Sequence, residues 1–201
     1  MLLRDASTPF LAALVLSCTA CTSLEMCAAQ WRLKPEPPRS FKGVWCTTRN
    51  AILTVLFMHL PLNVPTEQSL GPLSCWRVLA WVLLADFWFG AAHWCMHSRW
   101  LYALHKEHHT DTNPTTATDV LKCGLFEHGL VNMASVAIGP TVLPCTEAAT
   151  AAWVAVATTA AVLAHSSLRC SKKHYLHHTL HNVNYSTGMY VFDRIMGTLR
   201  D

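Results

Sequence analysis

Histidine is the residue type whose placement in this sequence invites chemistry. The chain has 201 residues and twelve histidines, and all but His59 lie at or beyond position 93. His93 and His97 form an H-x-x-x-H; His105, His108 and His109 form an H-x-x-H-H, which His174, His177 and His178 repeat with His181 close behind. On a helix, residues three or four apart share a face with about 5–6 Å between Cβ atoms, so each spacing can gather its rings. A neutral imidazole gives one lone pair to a metal, and eight rings exceed the three or four ligands that one zinc takes. No cysteine stands in register with them, and Lys106 removes the H-E-x-x-H of metalloproteases. A nitrogen-rich, carboxylate-poor set of this size suits two cations, with iron the better match and zinc a competitor. Ligating rings also need a partner for their second nitrogen. Asp86, on the same helical face as His93, and Glu127 and Asp193 are candidates, while Glu107 reads better as a solvated charge.

These groups must be held by elements that the composition already constrains. Hydrophobic residues make up 52% and charged residues 13%, against about a quarter charged in a soluble domain. The net charge of +3 is not gathered into a nucleic-acid-binding face, and the hydrophobicity excludes disorder. Five apolar stretches span residues 10–29, 51–64, 73–92, 129–143 and 148–164. The first is long enough to cross a bilayer at about 20 residues, as a retained anchor or as a cleaved signal peptide. Residues 31–50, with Pro35, Pro37, Pro38 and five basic side chains, read as an exposed linker. The division is therefore 1–50, anchor or signal plus linker, and 51–201, a membrane domain.

The expected fold is all-α: an integral membrane bundle of about four to five apolar helices, with a histidine-lined di-metal site at its cytosolic face. Pro140, Pro144 and Glu147 mark the turn of a helical hairpin. Basic residues cluster in 31–50 and return at Arg99, Lys106, Lys122, Arg169, Lys172, Lys173, Arg194 and Arg200, which the positive-inside rule places in the cytosol. Both histidine-rich regions then emerge on one side, although Arg77 interrupts the pattern. The nine cysteines are mostly scattered singly through apolar sequence and read as small buried hydrophobes.

The three histidine groups continue into His181-Asn-Val-Asn184-Tyr185-Ser186 and Phe192-Asp193-Arg194-Ile-Met-Gly197-Thr198. Together these residues resemble the membrane fatty acid hydroxylase superfamily, which includes sterol desaturases and sterol methyl oxidases. The resemblance covers about residues 50–201. It implies a helical membrane enzyme with a di-iron centre, using O2 and two electrons to hydroxylate or desaturate a lipid C–H bond. It also implies His165 as a ninth ligand, and gives supporting places to His128, His181 and Asn184 beside Asp86, Glu127 and Asp193. The sequence departs from the family where Ser186 replaces a glycine, Phe192 replaces a tryptophan, and Gly124 opens a stretch that keeps Glu127 without the usual His-Pro.

No dinucleotide fingerprint and no haem domain occur, so electrons from NAD(P)H are expected through a reductase or a cytochrome b5-type partner. The expected location is the endoplasmic reticulum membrane, with a membrane lipid, sterol or fatty-acyl, as substrate. Two other readings stay open on the sequence: a zinc-binding membrane hydrolase or metal-handling protein, and a non-catalytic paralogue.

Overall fold

A computed structural model describes residues 7–33, 41–58, 74–110 and 116–201. His59 and the turn at 65–72 lie outside them. The described residues form helices and no strand: α1 (Ser7–Cys27), α2 (Phe41–Met58), α3 (Ser74–Met96), α4 (Tyr102–His105), α5 (Leu125–Glu127), α6 (Ala134–Val142), α7 (Glu147–His165), α8 (Lys172–Leu180) and α9 (Val191–Met196). A π-helical stretch, His128–Met133, joins α5 to α6 in one continuous rod. Three helices, Ser7–Cys27, Trp76–Met96 and Glu147–His165, are long and apolar enough to cross a membrane.

Helix α1 lies along α7 and α3 along α6. The buried stripe of α1 is Phe10, Leu14, Cys21 and Glu25, at helical spacing, while Val15 and Leu16 face outward. At its end Glu25 accepts the Ser167 amide at 2.6 Å, so the C-terminal ends of α1 and α7 lie together. On α3 the buried stripe runs Trp81, Asp86, Gly90, His93, Met96, and Trp81 fits against Gly139, where a Cβ would come within 2.7 Å of its side chain. Pro140 has no N–H, which leaves the Val136 carbonyl one turn earlier without its helical donor. The Trp153 indole of α7 fills that role at 2.9 Å and ties α7 to α6.

The reading of 31–50 as an exposed linker is corrected at its second half, because α2 starts at Phe41. Over its first ten residues the buried face is small or polar (Gly43, Cys46, Thr47, Asn50), and Thr47 and Asn50 meet backbone, whereas Ala51 and Met58 further on join the apolar core. Asn50 donates to the Leu121 carbonyl at 2.7 Å, and Thr47 to that of Thr118 at 2.7 Å. A hydropathy pattern does not register such a face.

Candidate metal centre

The two histidine-rich regions meet at one end of the bundle. Helix α3 ends there with His93 and His97. Helix α5 then leads away, α7 returns to deliver His165, and α8 carries His174, His177 and His178. The nine rings sort into two sets: His93, His97, His105, His109 and His177 in one, and His108, His165, His174 and His178 in the other. Within each set, one candidate ligand atom per residue lies within 4.8 Å of all the others.

The sorting follows a spacing rule. Pairs four residues apart (93/97, 105/109, 174/178) stay in one set, and the histidine three residues into each H-x-x-H-H joins the other set. On α8, which runs unbroken from Lys172 to Leu180, His174, His177 and His178 share one helix face as expected, and that face still serves both sets. Only the first H-x-x-H-H departs from the expectation. There helix α4 ends at His105 and the chain then turns, so His108 and His109 lie beyond the helix, one in each set.

The Nε2 atoms face one another. His105 Nε2 lies 3.1 Å from that of His93, 3.1 Å from that of His97 and 2.9 Å from that of His109. In the second set, His174 Nε2 lies 3.2 Å from that of His165 and 3.1 Å from that of His178. A neutral imidazole nitrogen carries one proton or one lone pair, so protons cannot satisfy three neighbours at one atom. A shared cation can: ligands about 2.1 Å from one ion and at right angles to each other stand about 3 Å apart. The residues present fit two nitrogen-ligated cations.

The second nitrogens explain the tautomers. His93 Nδ1 donates to the Tyr185 carbonyl at 2.6 Å, His177 Nδ1 to that of Val183 at 2.8 Å, and His165 Nδ1 to that of Ala161 at 2.9 Å. A carbonyl only accepts, so these rings carry their proton on Nδ1 and keep the Nε2 lone pair free. Glu127 stands between the sets, with Oε2 2.9 Å from His105 Nδ1 and Oε1 3.6 Å from His108 Nδ1. The His105 contact is close enough for an ion pair but out of line for a hydrogen bond. Burial pushes the Glu127 carboxyl well above its usual range. Burial, reinforced by neighbouring imidazoles, lowers His97 and His105 to about 3 and holds His108, His109, His174, His177 and His178 below the ordinary value. These rings are neutral at physiological pH, the form a metal requires.

The other candidates take different places. Asp86 and Asp193, expected as partners of ligand rings, bond to backbone amides instead. Asp86 receives Tyr190, Val191 and Phe192. Asp193 receives Tyr185 at 2.7 Å and Ser186 at 2.8 Å, and so fixes the segment whose carbonyl serves His93. Asn184, at φ 54°, grips the C-terminal tail through the Arg200 amide at 2.7 Å. His128 belongs to neither set, and its Nε2 lies 2.9 Å from Thr54 Oγ1 on α2. His181 ends α8 at φ 65°, with its ring centroid 4.5 Å from that of His109. Glu107 pairs with Lys42 at 3.2 Å. The backbone acceptors at Ala161 and Val183 went unnoticed in the sequence, where a carbonyl leaves no signature.

The family model described as fatty acid hydroxylase matches residues 78–198, more than half of the chain. The chain belongs to the fatty acid hydroxylase family, membrane oxidoreductases of the hydroxylase and desaturase type with metal-binding histidine boxes. With three apolar helices of spanning length, it is an integral membrane protein. No curated protein and no solved structure matches it.

Proposed function

We propose that this protein is an O2-dependent oxidase that hydroxylates or desaturates a C–H bond of a membrane lipid, at two irons held by the nine histidines. The observation that carries this reading is the convergence of nine imidazoles, eight buried and His97 half-buried, into a five-ring and a four-ring set. Iron bound there would supply activation of O2 and oxidation of an unactivated C–H bond. The protein's part is to hold the ligand geometry and keep water out. His105, His174 and His177 have no exposed surface, and the carbonyls of Tyr185, Val183 and Ala161 orient three rings. The C-terminal tail closes over α8, because Asn184 donates both to the Lys173 carbonyl and to that of Arg200.

Electrons would come from NAD(P)H through a cytochrome b5-type protein or a reductase. The exposed Arg99, Lys106, Arg169 and Lys172 lie near the histidine end and suit an acidic partner. The same residues, by the positive-inside rule, support a cytosolic face for the centre, and the lipid substrate suits an endoplasmic reticulum address.

The test is metal analysis of purified protein, followed by reductant-driven O2 consumption matched to oxidised lipid. About two irons per chain with a hydroxylated or newly unsaturated lipid support the reading. Full zinc occupancy with O2-independent hydrolysis would replace it with the hydrolase. A cellular effect that survives both His108→Ala and His177→Ala would replace it with a non-catalytic paralogue.

A further inference from the structure

Residues of α6 and α7, with others from α1, α2 and α3, border a partly open cavity of about 250 Å³. Its lining is mostly apolar and reaches His165, one of the nine clustered histidines. Part of the wall comes from Phe10, Leu14, Phe57 and Met58, which lie outside the segment matched by the family.

Two features of α7 shape the space. Ala157, Ala160 and Ala161 border it, and their single methyl groups leave the slot open. Trp153 is the first residue of α7 in the lining and so stands at its end nearer the α6–α7 turn. Its indole is held by the Val136 carbonyl at 2.9 Å, and its ring packs against buried Trp81, with centroids 6.3 Å apart. From Trp153 to His165 the helix rises about 18 Å.

We propose that this cavity is the binding site for one unbranched hydrocarbon chain of a fatty-acyl lipid, and that Trp153 is its floor and sets the chain length accepted. The inference rests on the oxidase reading for its chemistry but not for its binding test. The shape argues for a chain over a sterol. At about 250 Å³ the cavity is smaller than the roughly 300–1,000 Å³ of pockets that enclose a drug-sized ligand, and its lining follows α7 from Trp153 to His165. Ala157, Ala160 and Ala161 lie on α7 between Trp153 and His165, so a chain entering from the His165 side runs along small side chains until its end meets the indole.

The test measures binding of isotopically labelled lauric, myristic, palmitic, stearic and arachidic acids, and of cholesterol, to full-length protein in detergent. Turnover is not needed. The wild type should show a sharp optimum among the acids, with affinity falling about fourfold for each methylene that finds no room, and should bind cholesterol at least tenfold more weakly. Trp153→Ala should move the optimum to a longer acid. Ala157→Phe should move it to a shorter one and so tests the same slot if Trp153→Ala fails to fold. Unchanged optima in folded variants that keep their metal would overturn the assignment of Trp153. Tighter binding of cholesterol than of any acid would overturn the acyl assignment. Clear chain-length selection without oxidised product from iron-loaded protein would instead refute the oxidase reading and leave the binding site standing.

Discussion

The carboxylate of Asp86 receives the amide of Val191 at 2.8 Å and that of Tyr190 at the same distance, which joins the helix carrying His93 to the far end of the chain. Tyr190 precedes α9 at φ 55°, so the first amides of that helix have no donor–acceptor ladder of their own, and Asp86 supplies the acceptor from another helix. Asp193, one turn into α9, then reaches back to Tyr185 and Ser186. The His93 ring, bonded to the Tyr185 carbonyl, is thus held by both acids at one remove. Asp86→Ala should leave buried amides unpaired and cost about 2 kcal/mol, with Asp86→Asn intermediate because one oxygen still accepts. Thermal unfolding in detergent measures this, and metal content should fall in parallel.

Glu127 is the carboxylate that touches a ring of each histidine set, at His105 and His108. Partners of this kind are typically worth about tenfold to a hundredfold in metal affinity. Glu127→Gln keeps the shape and removes the charge, so competition against a chelator should show weaker retention of both ions. Loss of one ion alone would show that the carboxylate serves a single set.

How much of this was legible beforehand varied with what kind of atom did the work. The three histidine groups were legible because side-chain ligands repeat at helical spacing, whereas their division into two sets was not. His165 came only through the resemblance, since a lone histidine at a helix end has no spacing to betray it. The hairpin was legible from Pro140 and Pro144, but the Trp153 strut that Pro140 requires was not, because it depends on which helices pack together. Asp86 is legible as a carboxylate on the His93 face, but its partners are backbone amides and not a ligand ring. Pattern shows that a buried carboxylate needs donors, and only the fold shows that they are backbone amides over a hundred residues later. The first half of α2 was hidden for a related reason: Thr47 and Asn50 bury against carbonyls.

Protein stripped of metal should lose stability in acid, and the sign follows from the imidazoles. His97 and His105 are lowered to about 3 in the fold, while an unfolded histidine protonates near 6.5. Between those values the unfolded chain binds more protons at these rings than the folded one, so their contribution to stability falls as pH falls from about 6.5 towards 3 and is level above that window. Thermal midpoints of chelated protein across this range should decline on the acid side. A midpoint flat from neutral pH down to about 4 would mean that these rings are not buried neutral in the fold.

Ser186 stands where the family pattern has glycine, and the structure gives the hydroxyl a use. It is fully buried and donates to Asp193 Oδ2 at 2.5 Å, and it is not among the residues with positive φ, so no glycine is required there. Ser186→Gly should therefore destabilise, by about 1–3 kcal/mol for a lost hydrogen bond to a charged group. A neutral or stabilising result would show that Asp193 is satisfied by Tyr185 and Thr198 without it.

Gly90 tests whether the seat of α9 sets the metal centre. It lies one turn before His93, and a Cβ there would come within 2.7 Å of Phe192 Cβ and Cγ. Those atoms are the root of the Phe192 side chain, which cannot swing aside, and Phe192 is itself pinned edge-on to Phe87 with centroids 5.7 Å apart. Gly90→Ala must then push α9 outward, stretching the Asp86 contacts and moving the segment that bonds the His93 ring. Helix propensity alone favours alanine by about 1 kcal/mol, so the two effects oppose each other. Overpacking at a rigid contact costs about 1–3 kcal/mol and should win. The expected outcome is a lower unfolding midpoint together with reduced metal occupancy, whereas a raised midpoint with full occupancy would show that α9 moves without carrying the ligand geometry with it.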